Sequence, residues 1–377
     1  MNNNKINFFD DIERLRGFAC LLVYIQHFAL ICPLKFIYNI LPAYLLRGEG
    51  GMRIFFAISG FVVTLSLVKK LESISGEQFI DRLNSARSML YSFYKNRFFR
   101  IFPVVFIMLL IMFTFMYLTE NDTNFMWSLL RCPIDVFFGV HNYSVGAFAE
   151  VEKIHFGGTG SLWTLAVEGQ FYLLWPIVLL LCKDNNIRTI VSLGMGCLFL
   201  LVVQPMASYL GGISYYSTYN NLAELFLGSF FAFIYKEDMG KNANRIVGLI
   251  ASTIMALAIW YYPSSIDRNV FFCKMVLSII SVSLVVLCVF VRGSFNVPGL
   301  GRIFQYLGSR SFSFYVIHLF IANVTVWYVN SIHFPKESFS TYDFYKYEFI
   351  IGTVASLVLA EILYRFVEKP LRNFGRK

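Results

Sequence analysis

The first long apolar stretch of the chain contains two ionisable residues, Arg16 and His27, which are 11 residues apart. In an α-helix this spacing places both side chains on one face, about 16 Å apart along the axis. We expect Arg16 at the cytoplasmic mouth of the helix and His27 near the middle of the membrane. Imidazole accepts and donates protons near neutrality, so His27 is a candidate general base or nucleophile. For His27 taken alone, a structural histidine bonded to a neighbouring helix is the alternative.

Arg97 and Arg100 lie in the sequence RFFRIFP, residues 97–103. Their i,i+3 spacing puts the two guanidinium groups on one helix face. Guanidinium groups bind phosphate oxygens in a bidentate manner, so the pair predicts a site for a phosphate-bearing ligand. Anchoring to lipid headgroups is the other interpretation of such a pair.

Glu168 lies in the fourth apolar stretch, about two helix turns from its outer end. A carboxylate in a membrane span needs a partner, and its cost makes it a functional candidate. Beside a catalytic histidine it would orient the imidazole or the acceptor, and a helix-joining ion pair is the alternative. Further candidates on the substrate side, or with a structural polar role, are Arg53, Ser161, Trp163, Gln170, Tyr315 and His318. The seven cysteines form no CxxC pair, and no metal site is expected.

The composition shows which elements must position these residues. Of the 377 residues, 57% are hydrophobic and only 15% are charged, whereas a soluble domain has about 25% charged residues. This excludes an ordinary cytosolic enzyme, a disordered chain and a secreted disulfide scaffold, and it predicts an all-α, multi-pass membrane protein. At about 20 residues per crossing, ten stretches are long enough to span, at about 17–32, 50–68, 101–119, 163–182, 189–207, 219–235, 246–262, 270–291, 309–329 and 347–367.

An eleventh apolar stretch, at about 125–141, is interrupted by Arg131, Pro133 and Asp135, and we expect it to form a re-entrant or surface helix. With this stretch kept outside, most of the 32 lysines and arginines fall on the same side as both termini. Because basic residues accumulate on the cytoplasmic side, both termini are predicted to be cytoplasmic. The net charge of +9 follows from this bias, and no nucleic-acid partner is expected. Residues 1–377 contain no linker and are predicted to form a single transmembrane domain.

Five motifs in order make the chain resemble the acyltransferase-3 family, the membrane O-acyltransferases that modify bacterial surface glycans. They are Arg16…His27, GGMRIFFAISGF at 50–61, RFFRIFP at 97–103, SLWTLAVEGQFYLLWP at 161–176 and SRSFSFYVIH at 309–318. The resemblance extends from Ile12 to Arg372. Three features depart from the family pattern: Arg53 stands where an acidic residue is usual, Gly169 replaces the acid after Glu168, and the segment 220–228 lacks the arginine often found before Leu222.

The resemblance implies ten helices around a central pore, with cytoplasmic acetyl-CoA or a related acyl-CoA as donor and a sugar hydroxyl on the far side as acceptor. By resemblance, Arg16 and His27 match the family's essential first-span pair. Arg97 and Arg100 match its cytoplasmic arginine motif, and Glu168 matches its fourth-span acid. The stand-alone form, without an added hydrolase-like domain, is expected.

Residues and resemblance together predict a multi-pass O-acyltransferase of the bacterial cytoplasmic (inner) membrane. It would move an acetyl or similar acyl group from cytoplasmic acyl-CoA to a hydroxyl of a surface glycan. The acceptor would be O-antigen, lipopolysaccharide, exopolysaccharide or a lipid-linked glycan, and membrane lipid would be a further partner. The alternative is a proton-coupled transporter of a sugar or small molecule, because intramembrane His, Glu and Arg residues also serve that function.

Overall fold

The computed structural model describes residues 8–31, 48–74, 76–119, 132–151, 157–208, 213–236, 239, 243–261, 270–332 and 341–376. These residues form helices and short turns, and no strand occurs among them. The α-helices are α1 (Phe8–Ile31), α2 (Glu49–Leu71), α3 (Phe79–Ser85), α4 (Arg87–Thr119), α5 (His141–Val151), α6 (Trp163–Leu181), α7 (Asn185–Leu198), α8 (Gln204–Ser208), α9 (Ile213–Tyr216), α10 (Ala223–Ile234), α11 (Arg245–Tyr261), α12 (Val270–Phe290), α13 (Gly301–Ser309), α14 (Ser311–Ile332), α15 (Thr341–Leu363) and α16 (Lys369–Arg376).

Four shorter helical segments complete the described secondary structure. Gly157–Leu162 and Thr218–Asn220 are 3₁₀ turns. Phe199–Val203 and Tyr364–Glu368 are π segments. Each π segment connects two α-helices without a break, so α7 continues into α8 and α15 continues into α16.

Seven stretches of the described chain are long and apolar enough to cross a membrane, namely Glu49–Leu71, Arg87–Thr119, Gly158–Leu181, Asn185–Met206, Phe272–Phe290, Ser311–Tyr328 and Glu348–Arg376. The other three predicted spans correspond to α1 and to the shorter helices α10 and α11. Helices of 12 and 17 residues are about 18 and 26 Å long, less than the roughly 30 Å hydrocarbon core. The all-helical prediction is confirmed for the described residues. The count of ten spans, the pore and the cytoplasmic termini stay predictions.

Two helices extend well beyond their predicted spans. α1 begins at Phe8 rather than near residue 17, and Asp10 and Asp11 in its first turn suit the positive end of a helix dipole. Asp11 also accepts hydrogen bonds from Arg14 Nη1 at 2.8 Å and from the Gly293 amide at 2.5 Å. α4 begins at Arg87, so the stretch 69–100, which looks like a loop because it is polar, is largely helical.

The predicted re-entrant or surface helix at about 125–141 is described only from residue 132 onward, so Arg131 lies outside the described residues. Residues 132–137 are helical, a turn follows, and α5 begins at His141. Gly139 interrupts the helix with a φ of +67°, a left-handed conformation that glycine adopts without strain. Ser144 of α5 donates to Asp135 Oδ2 at 2.7 Å and joins the two short helices.

α2 packs against α1, α10 and α12 in the middle of the bundle. Its contact with α10 is close because glycines face the opposing backbone. A Cβ at Gly60 would lie 2.0 Å from the Leu225 carbonyl oxygen, and a Cβ at Gly228 would lie 2.3 Å from that of Ala57. Small residues of this kind are typical of helix interfaces in membranes.

α14 packs between α1 and α15, and the 3₁₀ turn at 157–162 packs against it. At one end of the bundle, α16 packs against α4. The rings of Phe99 and Phe374 meet there with centroids 5.0 Å apart. This contact brings the basic residues of α16 to the helix that carries Arg97 and Arg100.

Candidate active site

A cavity of about 490 Å³ lies where α1 begins, α2 ends and α16 packs on α4. We call it the basic cavity, because six of its lining side chains are cationic and three are acidic. The cations are Arg16, Lys70, Arg97, Arg100, Arg372 and Arg376, and the acids are Asp10, Glu13 and Glu368. A cavity with this excess of cations suits a ligand that carries several negative charges.

Among the described residues, three half-buried arginines of the basic cavity have no carboxylate bound to them. Within the described part of the chain, Arg16, Arg97 and Arg100 make no hydrogen bond or ion pair. The Arg97 guanidinium lies over the rings of Phe93 and Tyr172, 5.4 and 5.0 Å from their centroids. The Nε atom of Arg16 is buried without a hydrogen-bond acceptor. Because guanidinium groups bind phosphate and carboxylate oxygens, these side chains favour an anionic ligand.

A smaller cavity of about 50 Å³, the inner pocket, lies next to the basic cavity. Arg16, Arg100, Ser311 and Phe312 line both cavities. The other polar side chains of the inner pocket are Ser59, Thr164, Glu168 and Tyr315. Arg16, Arg100 and Glu168, which lie far apart in the sequence, therefore meet in one place.

Glu168 is held in the inner pocket by two hydroxyl groups. Its Oε1 accepts from Ser59 Oγ at 2.7 Å, and its Oε2 accepts from the Tyr172 hydroxyl at 2.6 Å. Among the described residues, no hydrogen bond joins Glu168 to His27. The carboxylate is therefore positioned toward the inner pocket and does not orient the imidazole directly.

His27 instead pairs with the second predicted intramembrane histidine. Its Nδ1 lies 2.7 Å from Nε2 of His318, and the two rings are stacked with an interplanar angle of 18°. His318 is on α14, one turn beyond Tyr315, and Tyr315 lines the inner pocket. The histidine pair thus lies about one helix turn from that pocket.

His27 lies on α1 close to the start of α2, and its expected mid-membrane depth stays a prediction. The neighbouring Gln26 side chain accepts from the amide of Gly48, the residue before α2, at 2.8 Å. Arg16 contacts both the basic cavity and the inner pocket, and its expected position at the cytoplasmic mouth also stays a prediction. α1 starts nine residues before the predicted span, so Arg16 is two turns inside the helix.

Comparison with known proteins bears on the chemistry of this arrangement. The family model described as "Acyltransferase domain" (Acyl_transf_3) matches residues 9–365, which is nearly the whole chain. The chain belongs to the acyltransferase-3 family. Arg16, Arg97, Arg100, Glu168 and the histidine pair lie within the matched residues, whereas Arg372 and Arg376 follow them.

Two relatives are the proteins named "O-acetyltransferase OatA" in Staphylococcus aureus strains NCTC 8325 / PS 47 and COL. Each is 25% identical to this chain over 362 residues, with 90% of this chain and 55% of the relative covered. The chain thus spans about half the length of these curated relatives. No solved structure matches the chain.

Arg53, which departs from the acyltransferase-3 pattern, lies in a separate buried cluster. It is 1% exposed, forms an ion pair with Glu224 of α10, and donates to Glu49 Oε1 at 3.1 Å and to Ser278 Oγ at 3.0 Å. We call these four residues the Arg53 cluster. They join α2, α10 and α12, and none of them lines the basic cavity or the inner pocket.

The remaining predicted residues have supporting contacts. The Ser161 carbonyl accepts from Tyr315 at 2.9 Å and from Thr164 at 3.2 Å, which fixes the inner pocket wall. Trp163 packs between Phe56 and the ring pair of Tyr215 and Tyr216. Gln170 faces away from the pocket and bonds with Gly139, Asn142 and Thr218.

Four residues of the site were missed by sequence reasoning. Tyr172 lies one turn after Glu168, and this i,i+4 spacing is a signal that was available. Arg372 and Arg376 share a face of α16 by the same spacing, but only the packing of α16 on α4 brings them to the basic cavity. Ser59 lies in an apolar helix with no local signal.

Among the described residues, no cluster of three metal-binding side chains occurs.

Proposed function

We propose that the chain is a membrane O-acyltransferase that moves an acetyl or similar acyl group from acyl-CoA to a hydroxyl of a surface glycan or lipid-linked glycan. The observation that carries the proposal is the basic cavity, where Arg16, Arg97 and Arg100 make no hydrogen bond or ion pair with a carboxylate among the described residues. Family membership and the names of the two relatives support acyl transfer to oxygen.

Acyl-CoA fits the charge of the basic cavity. Its phosphate groups match the guanidinium groups of Arg97, Arg100, Arg372 and Arg376, which can form bidentate hydrogen bonds with phosphate oxygens. Its narrow pantetheine arm would pass Arg16 and extend through the inner pocket toward His27. Arg16 and His27 are about 16 Å apart along α1, within the reach of an extended arm.

In the proposed reaction, the acceptor hydroxyl approaches the thioester from the end of the bundle near His27. The hydroxyl oxygen attacks the carbonyl carbon while His27 accepts the hydroxyl proton. The carbon–sulfur bond breaks, the acyl group stays on the acceptor oxygen, and the CoA thiolate takes the proton back from His27. Glu168, held by Ser59 and Tyr172, offsets the positive charge of the inner pocket during this step.

The basic cavity suits the cytoplasmic side of a bacterial inner membrane, where acyl-CoA is made. On this orientation both termini are cytoplasmic, as the distribution of basic residues predicts. The proposal includes ten spans and a single transmembrane domain over residues 1–377. The acceptor then reaches the histidine pair from the outer side.

Donor binding can be tested on the purified protein in lipid nanodiscs with CoA as the probe. Arg97→Ala is expected to weaken CoA binding about 10- to 100-fold, since a charged hydrogen bond contributes about 1.5–3 kcal/mol. Arg87→Ala is the matched control, because Arg87 begins the same helix and is exposed. Nanodiscs with and without anionic lipid separate a CoA site from a headgroup site. No CoA binding in either lipid would reject the donor assignment and favour the transporter alternative.

The transfer itself can be tested in the native strain with the gene deleted and then restored as wild type or as His27→Ala. Base-labile O-acetyl groups on the surface glycans are measured by NMR. We expect acetylation to disappear on deletion and to return only with the wild type. Unchanged glycans in all three strains would exclude a surface glycan as the acceptor.

A further inference from the structure

The hydrogen bonds of the histidine pair have a defined direction. Nδ1 of His318 lies 2.8 Å from the carbonyl oxygen of Tyr315 and 3.2 Å from that of Phe314. A carbonyl oxygen only accepts, so Nδ1 of His318 carries the proton. A neutral imidazole has one N–H, which leaves Nε2 of His318 as an acceptor.

This assignment fixes the state of His27 as well. Nε2 of His318 accepts at 2.7 Å, so the donor is the Nδ1–H group of His27. The neutral His27 ring then has its free lone pair at Nε2. A base or a nucleophile needs such a lone pair, and here it lies on the opposite side of the ring from His318.

The surroundings of the pair favour neutral rings. His318 is 1% exposed and stacks on Phe314 with centroids 6.0 Å apart. The titratable side chains that face the pair are Tyr24 of α1 and Tyr315 of α14, with ring centroids 6.2 and 5.7 Å from that of His318. From α15, Thr353 contributes a hydroxyl 2.6 Å from that of Tyr24. Among the described residues, no carboxylate or cation contacts either imidazole.

We propose that His318 is a positioning residue that holds His27 in the Nδ1–H tautomer and stabilises the imidazolium formed during acyl transfer. The inference rests on the proposed function and adds the group that prepares its base. When Nε2 of His27 accepts the hydroxyl proton, Nδ1–H keeps its hydrogen bond to His318. His318 thus takes the part that a carboxylate takes behind many catalytic histidines. Its own Nδ1–H is anchored by two carbonyls of the same helix.

The proposal can be tested by comparing His318→Leu with His318→Gln. Leucine fills the space but accepts no hydrogen bond, so kcat is expected to fall about 10²- to 10⁴-fold, with KM for acetyl-CoA little changed. The amide oxygen of glutamine accepts from Nδ1–H of His27, so this variant should recover part of the lost kcat. The assay uses [¹⁴C]acetyl-CoA, protein in nanodiscs, and membranes of the deletion strain as the source of acceptor.

His318→Glu gives a readout that a purely structural role would not change. A carboxylate behind His27 stabilises its imidazolium, so the acid limb of the kcat/KM profile should move to higher pH. The proposal would be overturned if the acid limb of the kcat/KM profile of His318→Glu stays at the wild-type pH and His318→Leu keeps full activity. Asn323→Ala is the matched control on α14, because the Asn323 amide bonds only to its own helix carbonyl at Leu319.

A second measurement does not depend on activity. With ¹⁵N-labelled histidine, NMR of the wild type should show both rings of the pair neutral and protonated at Nδ1. His27 protonated at Nε2 would contradict the inference even if the enzyme is active. If wild-type protein transfers no acetyl group while the NMR assignment holds, the proposed function fails and the histidine pair remains as described.

Discussion

The basic cavity and the Arg53 cluster both contain arginines inside a membrane protein, but the arginines differ in whether other side chains accept their hydrogen bonds. Arg53 is surrounded by Glu224, Glu49 and Ser278, which accept its hydrogen bonds. Arg16, Arg97 and Arg100 have no such acceptors among the described residues, and they line cavities. The two groups of arginines therefore differ in how their charge is paired. Arg53 forms ion pairs with two carboxylates of the chain itself, whereas the half-buried arginines of the basic cavity leave their guanidinium groups available to a bound anion.

The largest effect should come from removing one partner in the Arg53 cluster. Glu224→Ala breaks a fully buried ion pair and leaves Arg53 with Glu49 as its remaining carboxylate partner among the described residues; breaking a buried pair typically costs about 3–5 kcal/mol. We expect a strongly lowered melting temperature in detergent. A melting temperature equal to that of the wild type would show that the cluster does not hold α2 and α10 together.

In the basic cavity, removal of an arginine should weaken ligand binding without lowering stability. Arg100→Met removes a partly buried cation that has no acceptor among the described residues. The free energy of unfolding should therefore stay equal or increase by about 0.5–2 kcal/mol, and the melting temperature should stay equal or rise with it. CoA affinity should fall at least about tenfold. If the Arg100→Met variant is destabilised but still binds CoA normally, Arg100 is a structural arginine like Arg53 and not a binding one. Arg87→Met serves as the exposed control on the same helix.

Replacing both members of the buried pair should matter less than breaking it. In Arg53→Met with Glu224→Leu, neither charge is left alone, and such exchanges are often neutral or stabilising. We expect a melting temperature much closer to the wild type than that of Glu224→Ala. The two single variants complete a double-mutant cycle, and additive losses would mean that the two charges do not interact.

The smallest effect should come from an exposed pair. The Arg365 side chain is 66% exposed and forms an ion pair with Glu361 one turn away. Solvent screens such a pair, so Arg365→Ala should change stability by at most about 0.5 kcal/mol. A larger loss, measured by the same thermal assay, would mean that Arg365 supports more than its ion pair.

Local sequence patterns predicted the helices well and the contacts between them poorly. The apolar stretch at 270–291 matches α12 within one residue, because length and hydropathy are properties of the stretch itself. The spacing of Arg97 and Arg100 correctly predicted a shared helix in the same way. Polar helical segments such as the first half of α4 were missed, because nothing apolar marks them.

Pairings between distant residues were beyond the reach of such patterns. His27 and His318 are 291 positions apart, and each was recognised separately without its partner. The Arg53–Glu224 ion pair and the contribution of α16 to the basic cavity also depend on how helices pack. The sequence alone shows which charged residues are costly to bury. The packing of the helices determines which of these residues form ion pairs or hydrogen bonds with each other.

The unbroken helix from α15 through the π segment into α16 connects the two ends of the proposed reaction path. At one end, Thr353 contacts Tyr24 beside the histidine pair, and at the other, Arg372 and Arg376 line the basic cavity. One continuous helix therefore carries both Thr353 and the arginines of α16, so the spacing between the surroundings of the histidine pair and the basic cavity is set by a single element that includes the π segment at residues 364–368.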